Sequence, residues 1–239
     1  MKLVGEKITK YYKDRAVVDG VSIEVGEDEI VGLLGPNGAG KTTTFYSIIG
    51  LIEPDRGKIM LDGEDINNLP IYKRARKGLG FLPQEPSIFE SLTVRENLTI
   101  ILEFIEEDKF EREKKITSLL SEFGLLDFAN NKAGTLSGGE RRRLEIARVL
   151  SINPKFLLLD EPFTGIDPIK VSGIQEIIKH LKDKGVGVLI TDHNVRETLK
   201  ITDRSYIISD GKVLFEGSSI ELINNPKVRE IYLGNDFSL

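Results

Sequence analysis

A glycine-rich stretch, GPNGAGKT at residues 35–42, has the residue types and spacing of a phosphate-binding loop. Its glycines let backbone N–H groups turn inward around phosphate oxygens, because no Cβ blocks the approach. Lys41 supplies a positive charge for the β- and γ-phosphates, and the Thr42 hydroxyl suits Mg²⁺. A buried-strand pattern precedes the loop, and a helical pattern with its positive dipole end follows it. The stretch therefore predicts binding of a nucleotide with its magnesium ion.

Polar residues end three further apolar runs: Gln84 ends GLGFLPQ, Asp160 and Glu161 end KFLLLDE, and His193 follows GVGVLITD. Because ligands of a parallel sheet bind outside the carboxyl ends of its strands, these side chains are predicted to lie beside the glycine-rich loop. Asp160 suits the Mg²⁺ shell, and Glu161 can orient and deprotonate an attacking water. Gln84 can bind Mg²⁺ or water through its amide oxygen, and His193 can hydrogen-bond a γ-phosphate oxygen. For any one of these residues alone, an ordinary loop start is the favoured explanation, but their joint placement favours a catalytic edge.

A second candidate anion site lies in TLSGGE, where Ser137, Gly138 and Gly139 precede a helical pattern that runs to about Leu150. The serine hydroxyl and the exposed backbone N–H groups favour an anion at such a helix start by about 0.3–2 kcal/mol. When the stretch is taken alone, an ordinary Ser-Gly-Gly turn with Glu140 as a first-turn acid explains it better.

Three arginines occupy positions 141–143, where cations oppose the helix dipole. Arg141 and Glu145 are four residues apart and could form a compensating pair. The pattern is typical of a solvated, ion-paired helix face, and we expect that arrangement here rather than a nucleic-acid contact.

The elements that must position these residues alternate between short apolar runs and longer helical patterns. This alternation predicts βαβ units and a mainly parallel sheet. The predicted buried strands are 29–35, 78–84, 155–161 and 185–192. Alternating patterns in EKITKYY, RAVVDGVSIEV and GKIMLDGEDI predict an additional antiparallel β layer.

The domain organisation predicted from these patterns is one α/β domain spanning 1–239. Its core would comprise residues 1–88 and 152–225, with an inserted α-helical subdomain at about 89–151. Thr93 and Glu96 have capping-box spacing at the first helix of that subdomain. A C-terminal helix and tail would occupy 226–239.

Composition narrows the function classes. The chain has 239 residues, a net charge of −5, 40% hydrophobic residues and no cysteine. Disulfide and thiol chemistry are therefore excluded, and the absence of a basic block disfavours a nucleic-acid partner. The longest apolar stretches, such as LTIILEFI, are far shorter than a membrane span, so any membrane role is expected to work through a partner.

Taken together, these motifs resemble those of the ATPase subunits of ABC transporters, over essentially the whole chain. GPNGAGKT resembles Walker A, Gln84 the Q-loop, LSGGE the family signature, FLLLDE Walker B, GIDP the D-loop and His193 the switch histidine. The signature ends in Glu140 where many members carry glutamine. The resemblance implies the P-loop NTPase fold and hydrolysis of ATP with Mg²⁺. It implies catalytic roles for Lys41, Gln84, Glu161 and His193 and metal contacts from Thr42, Gln84 and Asp160. The nucleotide contacts it implies are Tyr12, Gly35, Pro36, Asn37, Gly38, Ala39, Gly40, Lys41, Thr42, Thr43, Ser137, Gly138, Gly139 and Asp167.

The same resemblance implies a head-to-tail homodimer with two ATP molecules between the subunits. Each ATP would lie on Walker A of one chain and face Ser137 and Gly139 of the other. A groove near Gln84 and Phe89 would receive a coupling helix from each of two permease subunits, although Phe89 is as readily a core residue of the helical subdomain. The chain would then be a cytoplasmic protein held peripherally at the inner membrane.

Within the family, LPQEPSIFESLTVREN, ITDHNVRETL and the terminal YLGNDFSL are similar to the branch that powers lipopolysaccharide export. Branched-chain amino acid importers have a very similar LPQEPSIF-like region and are the alternative. A non-transport ABC ATPase of DNA repair or translation is a third hypothesis, which the single cassette and the lack of a coiled-coil or zinc motif disfavour. A GTPase is disfavoured because the chain has no N-K-x-D motif.

Overall fold

A computed structural model describes residues 1–234 and 236–237, and places ten strands within them. The strands are β1 (Lys2–Tyr12), β2 (Arg15–Gly26), β3 (Ile30–Leu34), β4 (Arg56–Leu61), β5 (Glu64–Asp65), β6 (Leu79–Leu82), β7 (Phe156–Asp160), β8 (Gly187–Thr191), β9 (Arg204–Ser209) and β10 (Lys212–Gly217). The α-helices are α1 (Lys41–Ile49), α2 (Ile71–Arg76), α3 (Val94–Leu102), α4 (Lys109–Glu122), α5 (Gly138–Leu150), α6 (Pro168–Asp183), α7 (Val195–Leu199), α8 (Ser219–Asn224) and α9 (Pro226–Val228). A π-helical turn, Arg229–Leu233, follows α9.

The core sheet has six strands in the order β10-β9-β3-β8-β7-β6, and confirms the predicted mainly parallel architecture. All neighbouring pairs are parallel except β10 with β9, which is antiparallel. Every residue of β3, β7 and β8 is buried, because helices or the second sheet cover both faces. The three strands are adjacent, so their carboxyl ends deliver the residues that follow them to one edge.

The predicted antiparallel layer is a second sheet of four strands in the order β2-β1-β4-β5. Its apolar side packs with Phe45, Ile48 and Ile49 of α1 and with one face of the core sheet. Arg74 of α2 is buried and donates hydrogen bonds to the carbonyl oxygens of Ser47 and Ile48 at 2.8 and 2.5 Å. These bonds give further partners to carbonyls in the last turn of α1, where the Ser47 carbonyl also accepts from the Gly50 N–H at 3.2 Å. The helix that begins at the glycine-rich loop is therefore fixed at its far end.

Helices α3, α4 and α5 and two short 3₁₀ turns occupy the segment between β6 and β7. Thr93 caps α3 as its spacing predicts, since its side chain accepts from the Glu96 N–H and Glu96 accepts from the Thr93 N–H. Buried residues of these helices form one cluster with α6 and the other face of the core sheet. The boundaries of this helical subdomain, at about 89 and 151, stay a prediction.

The C-terminal segment packs on the core. Val228 is fully buried in a small cluster with Leu34, Leu199, Ile207 and Leu222. Of the predicted tail, Asn235, Ser238 and Leu239 lie outside the described residues. Within the described ranges, the structure contains no helix that is both long enough and apolar enough to span a membrane.

Candidate active site

The glycine-rich loop joins the end of β3 to the start of α1, and close backbone approaches fix its course. Gly35 has φ +151° and Gly40 has φ +103°, in the region that favours glycine. A Cβ at Gly35 would lie 2.0 Å from the Ile208 carbonyl oxygen, and one at Gly40 would lie 2.6 Å from that of Val17. These two positions therefore require glycine because neighbouring strands leave no room for a side chain.

Lys41 is the first residue of α1, and its ammonium group is held inside the loop. It donates hydrogen bonds to the carbonyl oxygens of Gly35 and Pro36 at 2.7 and 3.0 Å. Burial lowers the pKa of Lys41, while the carboxylates of Glu161 and Asp160 oppose this shift. A partly desolvated cation thus lies beside two carboxylates, which is the charge arrangement expected of a site that takes up phosphates and a divalent ion.

Glu161 follows β7 with φ +48°, a left-handed conformation that costs a non-glycine residue about 1–3 kcal/mol. Its N–H donates to the Thr191 carbonyl oxygen at 2.7 Å, which ties the end of β7 to the end of β8. One carboxylate oxygen accepts from the Gln84 amide at 2.7 Å and from the Thr164 hydroxyl at 3.1 Å. The other lies 2.5 Å from His193 Nε2. The strained backbone and three side-chain contacts hold this carboxylate in one orientation.

Two buried aspartates support the same edge. Burial and the neighbouring Glu161 raise the pKa of Asp160 from 3.8 to about 6. Burial also raises the pKa of Asp192, whose carboxylate accepts from the Phe163 and Asn194 N–H groups at 2.9 and 2.8 Å. Asp192 therefore fastens the loop after β7 to the loop after β8. Asp160, in contrast, presents an ionisable carboxylate in a buried part of the site that water reaches poorly.

The raised pKa of Asp160 predicts the pH dependence of the stability of the nucleotide-free protein. Between pH 4 and 6 the folded state binds a proton that the unfolded state has released, so the Asp160 contribution to the unfolding free energy falls as pH rises. Asp160→Asn removes this contribution, and its stability relative to the parent should rise by roughly 2 kcal/mol between pH 4 and pH 7. Urea denaturation at each pH measures the difference. Asp127→Asn on the exposed surface is the matched control, and parallel curves for parent and Asp160→Asn would contradict the assignment.

The structure brings most of the predicted phosphate-site residues to one cavity of about 310 Å³. Its lining residues are Val17, Asn37, Gly38, Ala39, Gly40, Lys41, Thr42, Thr43, Glu161 and His193. Gln84 joins this set through its bond to Glu161. Tyr12 is half exposed at the end of β1, on the same hairpin as Val17. The phosphate-binding loop and the catalytic side chains, which the sequence predicts at one edge of the sheet, therefore lie around the same cavity.

The second predicted anion site lies apart from this cavity. Ser137 caps α5, where its N–H donates to the Glu140 carboxylate at 2.8 Å, a bond that lowers the Glu140 pKa. Gly139 lines a separate cleft between α5 and α6. Asp167 caps α6 by accepting from the Ile169 N–H at 2.9 Å. Exposed Gly138 and half-buried Ser137 therefore face outward, with the D-loop beside them.

The expectation that residues 141–143 form a solvated face was wrong for Arg142, and so was the proposed Arg141–Glu145 pair. Arg142 is buried, and its guanidinium lies 2.9 Å from the Glu145 carboxylate. Arg141 pairs instead with Glu90 at 3.5 Å. The reason is packing: the second arginine of the run points towards the loops that follow β6 and β7, which a helical charge pattern does not reveal.

Sequence reasoning also missed two residues of the site. Asp192 follows a buried strand directly, and the rule that selected His193 would have found it. Thr164 carried no such signal, because its role depends on the turn that brings its hydroxyl back to Glu161.

Comparisons with known proteins agree with this geometry. The family model "ABC transporter" matches residues 18–164. The lipopolysaccharide export system ATP-binding protein LptB of Haemophilus influenzae is 53% identical over 99% of both chains. The protein of the same name from Escherichia coli K12 is 51% identical, again over 99% of both. An uncharacterised ABC transporter ATP-binding protein of Rhizobium meliloti is 54% identical over 99% of this chain and 88% of that protein.

Solved structures show the same fold. The ADP conformation of the ABC transporter cassette MJ1267 superposes with a TM-score of 0.88 at 31% identity, covering 98% of this chain and 99% of that one. A dimeric post-hydrolysis structure of the cassette MJ0796, bound to ADP and phosphate, gives a TM-score of 0.80 at 29% identity over 91% and 98% of the two chains. The chain, with a phosphate loop and catalytic edge meeting in one cavity, belongs to the ATP-hydrolysing ATP-binding subunits of the ABC transporter family.

Proposed function

We propose that this protein hydrolyses ATP to power lipopolysaccharide export from the inner membrane, together with two permease subunits. The observation that carries the cargo is the identity of 51–53%, over 99% of this chain, to proteins named as lipopolysaccharide export ATPases. The aligned region includes the segment after His193 and the C-terminal tail. The branched-chain amino acid alternative rests on one short region, LPQEPSIF.

The proposed chemistry assigns one task to each side chain at the cavity. Lys41 binds the β- and γ-phosphates, and inward-facing N–H groups of the loop share that charge. Glu161 takes a proton from the attacking water, because it is a fixed carboxylate at the cavity wall. Gln84 and His193 contact Glu161 in this structure and are suited to holding water and a γ-phosphate oxygen. Tyr12 would stack on the adenine from its hairpin.

The residues present fit a magnesium ion brought in by the nucleotide. Thr42, Gln84 and Asp160 offer hydroxyl, amide and carboxylate oxygens, which are the hard donors that Mg²⁺ prefers. In the described part of the chain, no three His, Cys, Asp or Glu side chains are grouped to hold a metal by themselves. Mg²⁺ usually combines one or two carboxylates with substrate phosphates, and when bound it would neutralise charge on the transferring phosphate.

The outward-facing positions of Ser137 and Gly138 support a composite site. We propose that two chains associate head to tail, so that Ser137, Gly138 and Gly139 of one complete the ATP site on the loop of the other. Asp167 and the turn beside Gly138 lie at the same surface. Hydrolysis would then require two chains, because each chain carries its two phosphate-binding helix ends on different surfaces.

The proposed permease groove contains a preorganised aromatic side chain. The backbone of Phe89 is clamped by fully buried Asn97, which accepts from its N–H at 2.9 Å and donates to its carbonyl at 3.0 Å. The ring is 46% exposed and lies 5.0 Å from the Arg148 guanidinium. The alternative assignment of Phe89 to the core is therefore not supported. An exposed aromatic side chain on a fixed backbone, five positions after Gln84, suits the docking of a coupling helix.

Co-purification tests both the cargo system and the groove. A tagged full-length chain, captured from detergent-solubilised membranes, should bring along two integral permeases, identified by mass spectrometry, and bound lipopolysaccharide. Capture of an amino acid permease pair instead would overturn the proposed cargo. We also propose that the protein lies at the cytoplasmic face of the inner membrane, because its proposed permease partners are embedded there. The same capture from membranes tests this location.

Phe89→Ala should lower permease recovery at least about tenfold, the scale of losing an aromatic anchor at an interface, while ATP binding stays unchanged. Phe104→Ala is the matched control, since that ring is 87% exposed elsewhere on the helical subdomain. Equal recovery of permeases with both variants would remove Phe89 from the proposed interface.

A further inference from the structure

Arg142 lies in the body of α5, yet its guanidinium reaches the loops that follow two strands of the core sheet. The residue is 6% exposed. Its nitrogens donate to four backbone carbonyl oxygens at 3.1–3.3 Å, those of Pro83, Asp160, Glu161 and Pro162. Three of these carbonyls are consecutive, so a single planar group follows the turn of the chain around Glu161.

The turn is one that needs external support. Glu161 has a left-handed backbone, and such conformations persist only where surrounding contacts over-determine them. The direction of its carboxylate depends on that backbone. Pro83, the fourth partner, directly precedes Gln84, whose amide donates to Glu161. Arg142 therefore holds the main chain on both sides of the Gln84–Glu161 contact.

The positive charge of Arg142 is balanced locally. One nitrogen donates to Glu145 at 2.9 Å, three residues along α5, and the Glu145 carboxylate accepts from the Ser87 N–H at 2.8 Å. Arg148, one turn further, donates to the Ser87 carbonyl. Because α5 is a continuous helix from the Ser137 cap, it connects the proposed partner-facing end to this chain's own catalytic loops.

We propose that Arg142 is a positioning residue for ATP hydrolysis, which sets the orientation of Glu161 and the Gln84 loop without touching the nucleotide. The inference rests on the proposed role of Glu161 as the base. We expect Arg142 to affect the chemical step rather than nucleotide binding. Its described hydrogen bonds go to Glu145 and to the loops around Gln84 and Glu161, and not to the phosphate-binding loop or Lys41. Lysine cannot replace it, because one ammonium cannot span the carbonyls that the planar fork reaches together.

The test compares the full-length variants Arg142→Lys and Arg142→Gln with the parent. Both should lower kcat at least about tenfold through misplacement of the reacting group, with the Kd for a fluorescent ATP analogue and the KM within about twofold. Arg142→Lys retains the buried charge beside Glu145 and guards against loss of the fold. Arg143→Gln, the next arginine, is the control and should keep kcat within about twofold, since it lies against Gly124 of the helical subdomain.

Several results would overturn the proposal: kcat near the parental value in Arg142→Lys, equal losses in nucleotide affinity and kcat, or failure of both variants to fold. The last two would make Arg142 a general stabilising residue. Glu161→Gln is measured in parallel. If Glu161→Gln still hydrolyses ATP, the proposed role of Glu161 as the base is wrong. If Glu161→Gln is inactive while the Arg142 variants stay active, only the positioning role of Arg142 is wrong.

Discussion

Glu161→Gln should bind ATP with near-parental affinity, turn it over at least about a hundredfold more slowly, and accumulate an ATP-bound dimer. Glutamine is nearly isosteric with glutamate and can still bond to Thr164, but its amide cannot accept a proton from water. The bond from Gln84 and the close contact with His193 place this carboxylate at the cavity wall, so its loss acts on chemistry rather than on folding.

Single-turnover phosphate release measures the chemical step, and size-exclusion chromatography with ATP measures dimer accumulation. Glu111→Gln makes the same chemical change on an exposed face of α4 and should leave both unchanged. Near-normal phosphate release by Glu161→Gln would refute its assignment as the base. A dimer that forms equally without ATP would instead argue against a nucleotide held between the subunits.

The second large effect concerns complementation between chains. Lys41→Ala should weaken ATP binding at least about tenfold, because it removes charge-assisted hydrogen bonds to phosphate. Ser137→Arg should keep ATP on its own loop yet block the proposed composite site with a bulky cation. Each variant alone should be nearly inactive. An equal mixture should recover roughly a quarter of parental turnover, because half of random dimers are mixed and each keeps one of two sites.

The control mixes Lys41→Ala with a Lys41→Ala, Ser137→Arg double variant, in which every dimer lacks an intact site. That mixture should show no recovery at any ratio. Undiminished ATP binding by Lys41→Ala would mean that the phosphate loop is misassigned. High activity of Ser137→Arg as a homodimer would instead show that each chain completes its own site, contrary to the head-to-tail arrangement.

The fold and the phosphate site were accessible from the sequence because their signals are local. The glycine-rich loop is contiguous, and a buried parallel strand appears as an apolar run that ends in a polar residue. Since parallel strands align their carboxyl ends, ordering the runs was sufficient to predict that Lys41, Glu161 and His193 meet, and they line one cavity. The roles proposed for them stay predictions that the variants above test.

By itself, the sequence determined the α/β class, the phosphate loop and the residues delivered to the sheet edge. The tertiary structure alone decided that Arg142 is buried, that Asp192 joins two loops and that Phe89 is held exposed by Asn97. In each case the partner is a backbone group, and for Arg142 and Pro83 it lies 59 positions away in the sequence. Every residue carries backbone N–H and C=O groups, so no residue pattern marks the ones that a side chain will meet. For Arg142, the packing of α5 against the core sheet makes that choice.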